Sequence, residues 1–378
     1  MSLISYVTRI HFADQVLEYA LDAELLELAM LRPLVLWDGG EGREDLLQCL
    51  AAAMPDRVEA QVFRLPEAGA TEEAAEGAAL HYQGHDCDGL IAFGGGEALH
   101  LAKVVALRVS HAGALRDYLD CEGGRARIRN VLPPTIAIPA TAGTGAEASD
   151  TAVFALAEGG CGALSSPYLL PRVVICDPTL TLDMDGRATA CAGMEALAHC
   201  IETFIAAAFN PPADAIAADG LRRAFLHLER AVVRGGDLDA RREMMAAALN
   251  GSLAQQKGLG AIRAMSNALF SCGDQRASGR GALCAVLLPW VLEFNAPAAG
   301  GRYPEIRRQF SLAPGADLGE ALIRLRDRVG LPARLSDLGI TEEVLVKAAC
   351  FAAKDLANRT NPRKAGPEDY LALMRRAL

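Results

Sequence analysis

The chain of 378 residues is 51% hydrophobic and 22% charged, and its formal net charge is −10 at pH 7. This length favours two domains, each large enough for a buried core. The acidic residues are dispersed, and there is no basic block and no zinc-finger spacing, so nucleic acid is excluded as an expected partner. Apolar runs such as AVLLPWVLEF (285–294) are too short and too interrupted to predict a membrane span.

The ten cysteines contain no CxxC pair, and several of them lie inside apolar runs: Cys49, Cys176, Cys200, Cys284 and Cys350. In a chain of this size, that pattern predicts reduced, buried thiols rather than a disulfide framework. The first residues, MSLISYVTRIHFADQ, lack the charged and then apolar segments of a signal peptide. A cytoplasmic protein is therefore expected.

The first half of the chain alternates predicted strands with predicted helices. The apolar runs that predict strands are PLVLWDGG (33–40), EAQVFRLP (59–66), CDGLIAFGGG (87–96), PPTIAIPATAGTGAEAS (133–149) and PRVVICDPTLT (171–181). Between them, REDLLQCLAAAM (43–54), TEEAAEGAALHYQGH (71–85) and EALHLAKVVALRVSH (97–111) have helical periodicity. Such alternation predicts a parallel α/β sheet.

The character of the sequence changes near residue 183. MDGRATACAGMEALAHCIETFIAAAF (184–209) has the period of a long helix, and Ala/Leu/Arg-rich helical segments broken by Pro and Gly follow. We therefore expect an α/β dinucleotide-binding domain over residues 1–182 and an all-helical domain over residues 183–378.

Three glycines, Gly94, Gly95 and Gly96, end a predicted strand and begin a helix. Glycines at such a turn let backbone N–H groups approach a pyrophosphate at the helix N-terminus. A tight strand–helix turn without a ligand is the simpler interpretation. Thr141 and Thr144 follow another strand and offer hydroxyl groups to phosphate or ribose, which favours the cofactor interpretation.

Asp38 ends an early strand, where a carboxylate commonly binds a ribose hydroxyl and disfavours a 2′-phosphate. It favours NAD as the cofactor, with NADP as the alternative. The simpler interpretation of Asp38 is a turn-forming residue before Gly39.

Taken together, GGGEALHLAK, IPATAGTGAEAS, LLPRVVICDPTLT, GMEALAHCIETF, AVLLPWVLEFN and NPR have the order and spacing of the iron-containing (group III) alcohol dehydrogenases. The chain resembles that family from about residue 7 to its end. The resemblance implies the dehydroquinate synthase-like fold, with a Rossmann-like domain, a helical domain and a cleft between them. It also implies hydride transfer between NAD(P) and an alcohol or aldehyde, a divalent metal that polarises oxygen, and a dimer or larger assembly.

The cofactor half departs from the family pattern. The family usually has Gly-Gly-Gly-Ser and an Asp three residues later, whereas this chain has Glu97 and His100. A carboxylate at ~4 Å from a pyrophosphate would cost roughly 4 kcal/mol at an effective dielectric of about 20. A lysine typical of the family aligns near Cys161. Both changes predict weaker nucleotide binding unless Glu97 points away.

The family's metal ligands are replaced to a larger extent. An Asp and a His four residues apart correspond to Glu195 and His199, which share a helix face. The other two ligands, both histidines, correspond to Arg263 and Arg280, and a further histidine near the substrate corresponds to Asn267. The chain has seven histidines, of which the last in sequence is His227.

An arginine stays protonated in proteins and has no lone pair to donate to a metal. We therefore expect that neither Fe²⁺ nor Zn²⁺ binds in the family's manner. Glu195 and His199 alone would be a hydrogen-bonded pair on a buried helix face. The arginines would either replace the metal as a structural salt bridge, in which Glu195 forms a bidentate pair with Arg263 or Arg280, or bind an anionic substrate group.

The leading hypothesis is an NAD(P)-linked oxidoreductase that acts without metal on a small alcohol or aldehyde, with a carboxylate or phosphate as a candidate substrate group. Arg263, Arg280 and Asn267 are its candidate catalytic residues, and His199 or His100 would handle the proton. The alternatives are a catalytically retired member with a binding or assembly role, a non-redox enzyme on the same scaffold, and an ordinary metal-dependent alcohol dehydrogenase. The edge strand near ISYVTRIHF (4–12) is a candidate for pairing between subunits.

Overall fold

The computed structural model describes residues 6, 8–39, 43–272 and 279–378. The chain divides into two compact units. The N-terminal unit comprises Tyr6–Thr141 and Ala146–Thr181, and the C-terminal unit comprises Ala142–Gly145 and Leu182–Leu378. A parallel sheet with helices forms the first unit, and helices form the second. The fold class predicted from the sequence is confirmed.

Six parallel strands form the sheet of the N-terminal unit, and their bounds are β1 (Arg9–Phe12), β2 (Pro33–Trp37), β3 (Gln61–Arg64), β4 (Gly89–Gly94), β5 (Thr135–Pro139) and β8 (Val173–Cys176). Their order across the sheet is β1-β8-β5-β4-β2-β3. Strands β2, β4, β5 and β8 are buried at every position, as parallel strands covered by helices are. β1 and β3 are the edges, and residues 4, 5 and 7 of the predicted edge stretch lie outside the described residues.

Four helices accompany this sheet: α1 (Leu17–Glu27), α2 (Glu44–Ala53), α3 (Glu72–Gly84) and α4 (Gly96–Ser110). Apolar side chains of α1 and α2 form one continuous core with residues of β2, β4, β5 and β8. α4 packs against β4, β2 and β5, and α3 packs against α4. The helical periodicity of residues 43–54, 71–85 and 97–111 therefore corresponds to α2, α3 and α4.

A two-stranded antiparallel hairpin follows β5, and the sequence analysis did not predict it. β6 (Thr151–Ala155) pairs with β7 (Cys161–Ser165) in antiparallel register. The turn contains Gly159 and Gly160, both with positive φ, a conformation that glycine adopts without strain. The Gly-Gly pair between two apolar runs is the sequence signal for this hairpin.

The C-terminal unit is built from nine helices in the part of the chain that the structure describes. They are α5 (Gly186–Ile205), α6 (Pro211–Val233), α7 (Leu238–Ala254), α8 (Ala261–Cys272), α9 (Gly279–Ala299), α10 (Tyr303–Gln309), α11 (Leu318–Arg328), α12 (Glu342–Lys354) and α13 (Pro367–Ala377). α5 is the central helix, since it packs against α6, α7, α8 and α9.

The apolar run of residues 285–294 lies within a helical stretch that is much longer than the run itself. A continuous helical stretch covers Gly279–Gln309, so its length and composition would suffice to cross a membrane. However, 67% of its most apolar window is buried inside the protein. α9 also continues through Pro289 and Pro297, where a helix break was expected. The burial of this stretch explains its composition as that of a core helix.

The prediction of buried thiols is wrong for two cysteines. Cys49 and Cys350 are exposed, because they lie on the outer faces of α2 and α12. Cys176, Cys200 and Cys284 are buried as expected, and the ten thiols are unpaired with one another. Burial raises the pKa of Cys200 to about 12, so this thiol is inert at neutral pH.

Candidate functional site

The carboxyl ends of β2 and β4 lie side by side where the chain changes direction in the sheet. From β2 the chain runs to β3 on one side, and from β4 it continues to β5 on the other. Ligands of open α/β sheets bind in the crevice outside such a switch point. The register pairs Trp37 with Phe93, which puts Asp38 next to Gly94. The structure thus brings two of the predicted cofactor-binding stretches together.

The carboxylate of Asp38 caps the first turn of α4. Its Oδ1 accepts a hydrogen bond from Gly95 N at 2.8 Å, and its Oδ2 accepts one from Ala98 N at 3.0 Å. A Cβ on Gly94, whose φ is +135°, would lie 1.9 Å from Oδ1, so glycine is required there. Burial raises the pKa of Asp38, and the two backbone bonds oppose that rise. Asp38 is thus a helix cap in this structure, and its contact with a ribose stays a prediction.

Glu97 lies in the first turn of α4 but its carboxylate is bound elsewhere. Oε2 accepts a hydrogen bond from Ala70 N at 2.7 Å, and a Cβ on Gly69 would lie 2.4 Å from the same oxygen. The loop after β3 therefore holds this carboxylate. The expected competition between Glu97 and a pyrophosphate is reduced accordingly, and Asp38 is the acid that engages the amides of the turn.

Of the other residues predicted for the cofactor site or for proton transfer, Thr141 and His100 belong to the N-terminal unit and Thr144 belongs to the C-terminal unit. Thr141 faces the glycine turn, since a Cβ on Gly95 would lie 3.6 Å from its Oγ1. Thr144 belongs to the segment Ala142–Gly145, which is part of the C-terminal unit. His100 is buried, and its Nδ1 lies 3.4 Å from Val153 N of β6. That contact gives His100 a structural role within the N-terminal unit.

In the C-terminal unit, one guanidinium nitrogen joins the two residues at the family's metal-ligand positions on α5. Nη1 of Arg263 donates to Glu195 Oε1 at 3.0 Å and lies 3.2 Å from His199 Nε2. Glu195 Oε1 and His199 Nε2 are themselves 4.0 Å apart, too far for a hydrogen bond. The expected direct pair of Glu195 and His199 is therefore wrong, because Arg263 bridges them. The salt bridge is also made by one nitrogen rather than by a bidentate fork.

The cluster is buried, and burial determines the protonation state of His199 within it. Glu195, His199 and Arg263 are 4%, 1% and 7% exposed. Burial, followed by the charges of Arg263 and Arg280, lowers the pKa of His199 well below its ordinary value. The imidazole is thus neutral, with Nε2 accepting from Arg263 and the proton on Nδ1. Because the pKa of His199 is lowered this far and its Nε2 lone pair already accepts from Arg263, the imidazole is a poor proton acceptor and does not suit the proton-carrying role expected for it.

The other two predicted catalytic residues lie near the cluster on α8 and α9. Arg280 is buried, and its guanidinium carbon lies 4.1 Å above the ring of Phe270. Asn267 is one turn beyond Arg263 on the same face of α8, and its Nδ2 donates to Asp355 Oδ2 at 3.0 Å. The sequence analysis did not identify Asp355, because its approach depends on tertiary structure.

The donors at the four ligand positions do not fit a divalent metal ion. Glu195 and His199 supply one oxygen and one nitrogen, whereas Arg263 and Arg280 supply cationic groups without a lone pair. The lone pair of His199 Nε2 already accepts from Arg263. Throughout the described ranges, no group of three His, Cys, Asp or Glu side chains is placed to hold a metal.

A parallel α/β unit with a glycine turn at its switch point is typical of nucleotide-binding folds, and here a helical unit with a buried polar cluster on α5 follows it. The family described as iron-containing alcohol dehydrogenase matches residues 8–178, and its C-terminal family matches residues 189–378. The chain belongs to the iron-containing alcohol dehydrogenase family. It is an oxidoreductase of small alcohols.

Relatives of known activity cover most or all of the chain. It is 40% identical over 387 aligned positions to 4-hydroxybutyrate dehydrogenase of Cupriavidus necator, with 100% of both chains covered. It is 31% identical to 1,3-propanediol dehydrogenase of Klebsiella pneumoniae, over 78% of this chain and 77% of that protein. The alcohol dehydrogenase from Oenococcus oeni has a similar structure, with a TM-score of 0.91, 26% identity and full coverage of both chains.

Proposed function

We propose that the protein is an NAD(P)-dependent dehydrogenase of a short hydroxy acid that works without the family's metal. The single observation that carries this proposal is the contact of Arg263 Nη1 with both Glu195 and His199. One fixed positive charge lies between the two side chains that correspond to metal ligands. A guanidinium N–H group stabilises developing negative charge on oxygen without the need for a metal ion.

The substrate class follows from charge and from similarity. A site with Arg263 and Arg280 favours an anionic substrate, since guanidinium groups bind carboxylates in charge-assisted hydrogen bonds. The relative with 40% identity over the whole chain is a 4-hydroxybutyrate dehydrogenase, whose substrate is a carboxylate. We therefore propose an ω-hydroxy carboxylate, with Arg280 bound to its carboxylate end.

The oxidation itself is a balanced two-electron transfer. The carbinol would lose a hydride from its C–H bond and a proton from its O–H bond as the C=O bond forms, and the proton would leave to water. NAD supplies the hydride acceptor when bound. Gly94–Gly96 and Thr141 are the proposed contacts of its phosphates, and Asn267 is the proposed polar contact near the reacting end. His199 acts through Arg263 rather than as an acid or base.

The experiment is turnover of 4-hydroxybutyrate with NAD⁺, measured as NADH absorbance in the presence of a chelator, together with metal analysis of the same protein. We expect turnover that the chelator leaves unchanged and an iron plus zinc content far below one per chain. Stoichiometric metal, or turnover that is lost with chelator and restored by Fe²⁺ or Zn²⁺, would overturn the metal-free mechanism. NADPH formation from NADP⁺ in the same assay measures the cofactor preference.

A binding protein that has lost catalysis is the second candidate, and Asp38 is the observation that favours it. Its carboxylate already accepts from two of the amides that a pyrophosphate would use. Calorimetric titration with NADH separates the two candidates. Binding together with turnover supports the dehydrogenase, whereas the retired member predicts neither.

A further inference from the structure

The first turn of α8 is held by side chains from outside the helix. The first N–H groups of a helix have no partner within it. Here Ala261 N donates to Asn361 Oδ1 at 3.1 Å, Ile262 N to Glu202 Oε1 at 2.6 Å, and Arg263 N to Glu202 Oε2 at 3.2 Å. Both oxygens of Glu202 therefore fix the turn that contains Arg263.

Gly260 makes this close approach feasible. A Cβ at that position would lie 2.7 Å from Asn361 Oδ1 and 2.8 Å from Glu202 Oε1, closer than packed atoms come. The backbone of α8 thus lies directly against the two capping side chains, and any side chain at position 260 would displace the helix. Gly260 is the second glycine of the sequence GLGAIR.

Glu202 belongs to the same helix face as the partners of the Arg263 side chain. Glu195, His199 and Glu202 are spaced at i, i+4 and i+7 on α5, so they line one stripe of that helix. Glu202 is 2% exposed. One helix therefore binds Arg263 twice, through its side chain at Glu195 and His199 and through its backbone at Glu202.

We infer that Glu202 is a positioning residue, which sets α8 so that Nη1 of Arg263 meets both Glu195 and His199. The inference rests on the proposed function, in which Arg263 takes the place of the metal. A displacement of about 1 Å in a group that stabilises a transition state can reduce the rate about 100-fold. A side chain that sets the position of α8 therefore affects the reaction rate through Arg263.

The charge around Glu202 comes from Arg263. Cys284 on α9 and Tyr370 on α13 also interact with this carboxylate, and burial raises the pKa of each well above neutrality, so both are uncharged. Burial raises the pKa of Glu202 itself to about 7, against the opposing effects of the backbone donors and of Arg263. Protonation converts one accepting oxygen into a donor, so the protonated side chain has one oxygen left to accept from the N–H groups of α8.

The experiment is a double-mutant cycle of Glu202→Gln and Arg263→Lys, read as kcat and as KM for NAD⁺ with 4-hydroxybutyrate. Glutamine has one accepting oxygen, so one N–H of α8 loses its partner. We expect Glu202→Gln to lower kcat about 10- to 100-fold with KM for NAD⁺ unchanged. In the Arg263→Lys background it should add little, because Glu202 acts through Arg263.

Asp177→Asn is the matched control. Asp177 is also a buried carboxylate that accepts backbone N–H groups, from Gln15 and Leu17, but the helix that it holds, α1, contains none of the proposed site residues. We expect this variant to lose stability and to keep kcat below its melting temperature. An equal loss of kcat from Glu202→Gln in both Arg263 backgrounds, or no loss in either, would overturn the inference. If Glu202→Gln does not fold, Glu202→Asp provides the same cycle with a carboxylate one methylene shorter.

A second readout does not depend on turnover. Nitrogen NMR of histidine-labelled protein, assigned with His199→Gln, reports whether His199 Nε2 accepts a hydrogen bond. We expect Glu202→Gln to shift this nitrogen toward the frequency of an unbonded acceptor. Wild-type protein without turnover but with this shift would refute the proposed function and retain the positioning role. An unchanged nitrogen would refute the positioning role alone.

Discussion

At the scale of single residues, the two arginines at the ligand positions have different surroundings. Arg263 is bound to Glu195 and His199, so its cation lies between two residues that correspond to the family's metal ligands. Arg280 stacks on Phe270 beside this cluster. A guanidinium group with an aromatic ring on one face presents its edge N–H groups in a defined plane, which suits a carboxylate. We therefore propose Arg263 as the group that takes the place of the metal and Arg280 as the group that binds the substrate carboxylate.

Arg280→Gln is expected to change substrate selectivity more than catalysis. A charge-assisted hydrogen bond contributes about 1.5–3 kcal/mol, equal to roughly 10- to 150-fold in affinity. KM for 4-hydroxybutyrate should rise by that factor, while KM for 1-butanol, which lacks the carboxylate, should change little. Steady-state kinetics of both substrates measures the difference, and Arg222→Gln, which changes a half-buried arginine of α6, serves as the control. An equal rise in both KM values would place the effect of Arg280 outside carboxylate recognition.

At the scale of elements, the segment of residues 146–151, which leads into β6, is organised around a buried lysine. Nζ of Lys103, on α4, donates to the carbonyl oxygens of Ala146 and Ser149 at 2.6 Å and of Thr151 at 3.1 Å. Lys103 is 2% exposed. The segment has little regular structure, so its carbonyls need another partner when buried. One ammonium group satisfies three of them and fixes the start of β6.

Lys103→Met should therefore loosen this segment selectively. Loss of the ammonium leaves buried carbonyl groups without their partner, at a cost of about 3 kcal/mol. Amide hydrogen exchange should accelerate in β6 and β7 and stay slow in β4. Lys347→Met, which changes an exposed lysine of α12, should leave all three strands unchanged. Equal acceleration of exchange in β4, β6 and β7 of Lys103→Met would contradict the local role.

Helices and strands could be predicted from the sequence more fully than the contacts between them. Apolar periodicity predicted β2, β4 and the helix α5, because burial of one face depends on local pattern. The hairpin β6–β7 was not predicted from the sequence, because strands of five residues give little periodic signal. Family spacing also predicted that Glu195 pairs with Arg263 or Arg280, and the structure has Arg263 as the partner. The role of Glu202 was not predicted, because it depends on the packing of α8 against α5.

At the scale of the whole molecule, the two units provide separate optical signals. The chain has two tryptophans, Trp37 in β2 of the N-terminal unit and Trp290 in α9 of the C-terminal unit. Trp37 is buried against Phe93, and its Nε1 has no hydrogen-bond partner among the described residues. Phenylalanine at position 37 keeps the stacking and loses no hydrogen bond. In a Trp37→Phe background, fluorescence therefore follows the unfolding of the C-terminal unit alone.

This background permits a test of how Glu202 links pH to stability. Its pKa is about 7 in the folded protein, against an ordinary value of 4.5, so between these values the native state holds a proton that the unfolded state lacks. Its contribution to the free energy of unfolding is present below pH 4.5 and is lost as pH rises to about 7, by roughly 3 kcal/mol. Glutamine does not titrate. In urea unfolding, the free energy of unfolding of Glu202→Gln should therefore rise relative to that of its parent as pH increases through this window. Glu368→Gln, which removes an exposed carboxylate of α13, is the control. A difference between Glu202→Gln and its parent that is constant with pH would mean that Glu202 is ionised in the folded protein throughout, and that the cap of α8 does not respond to pH.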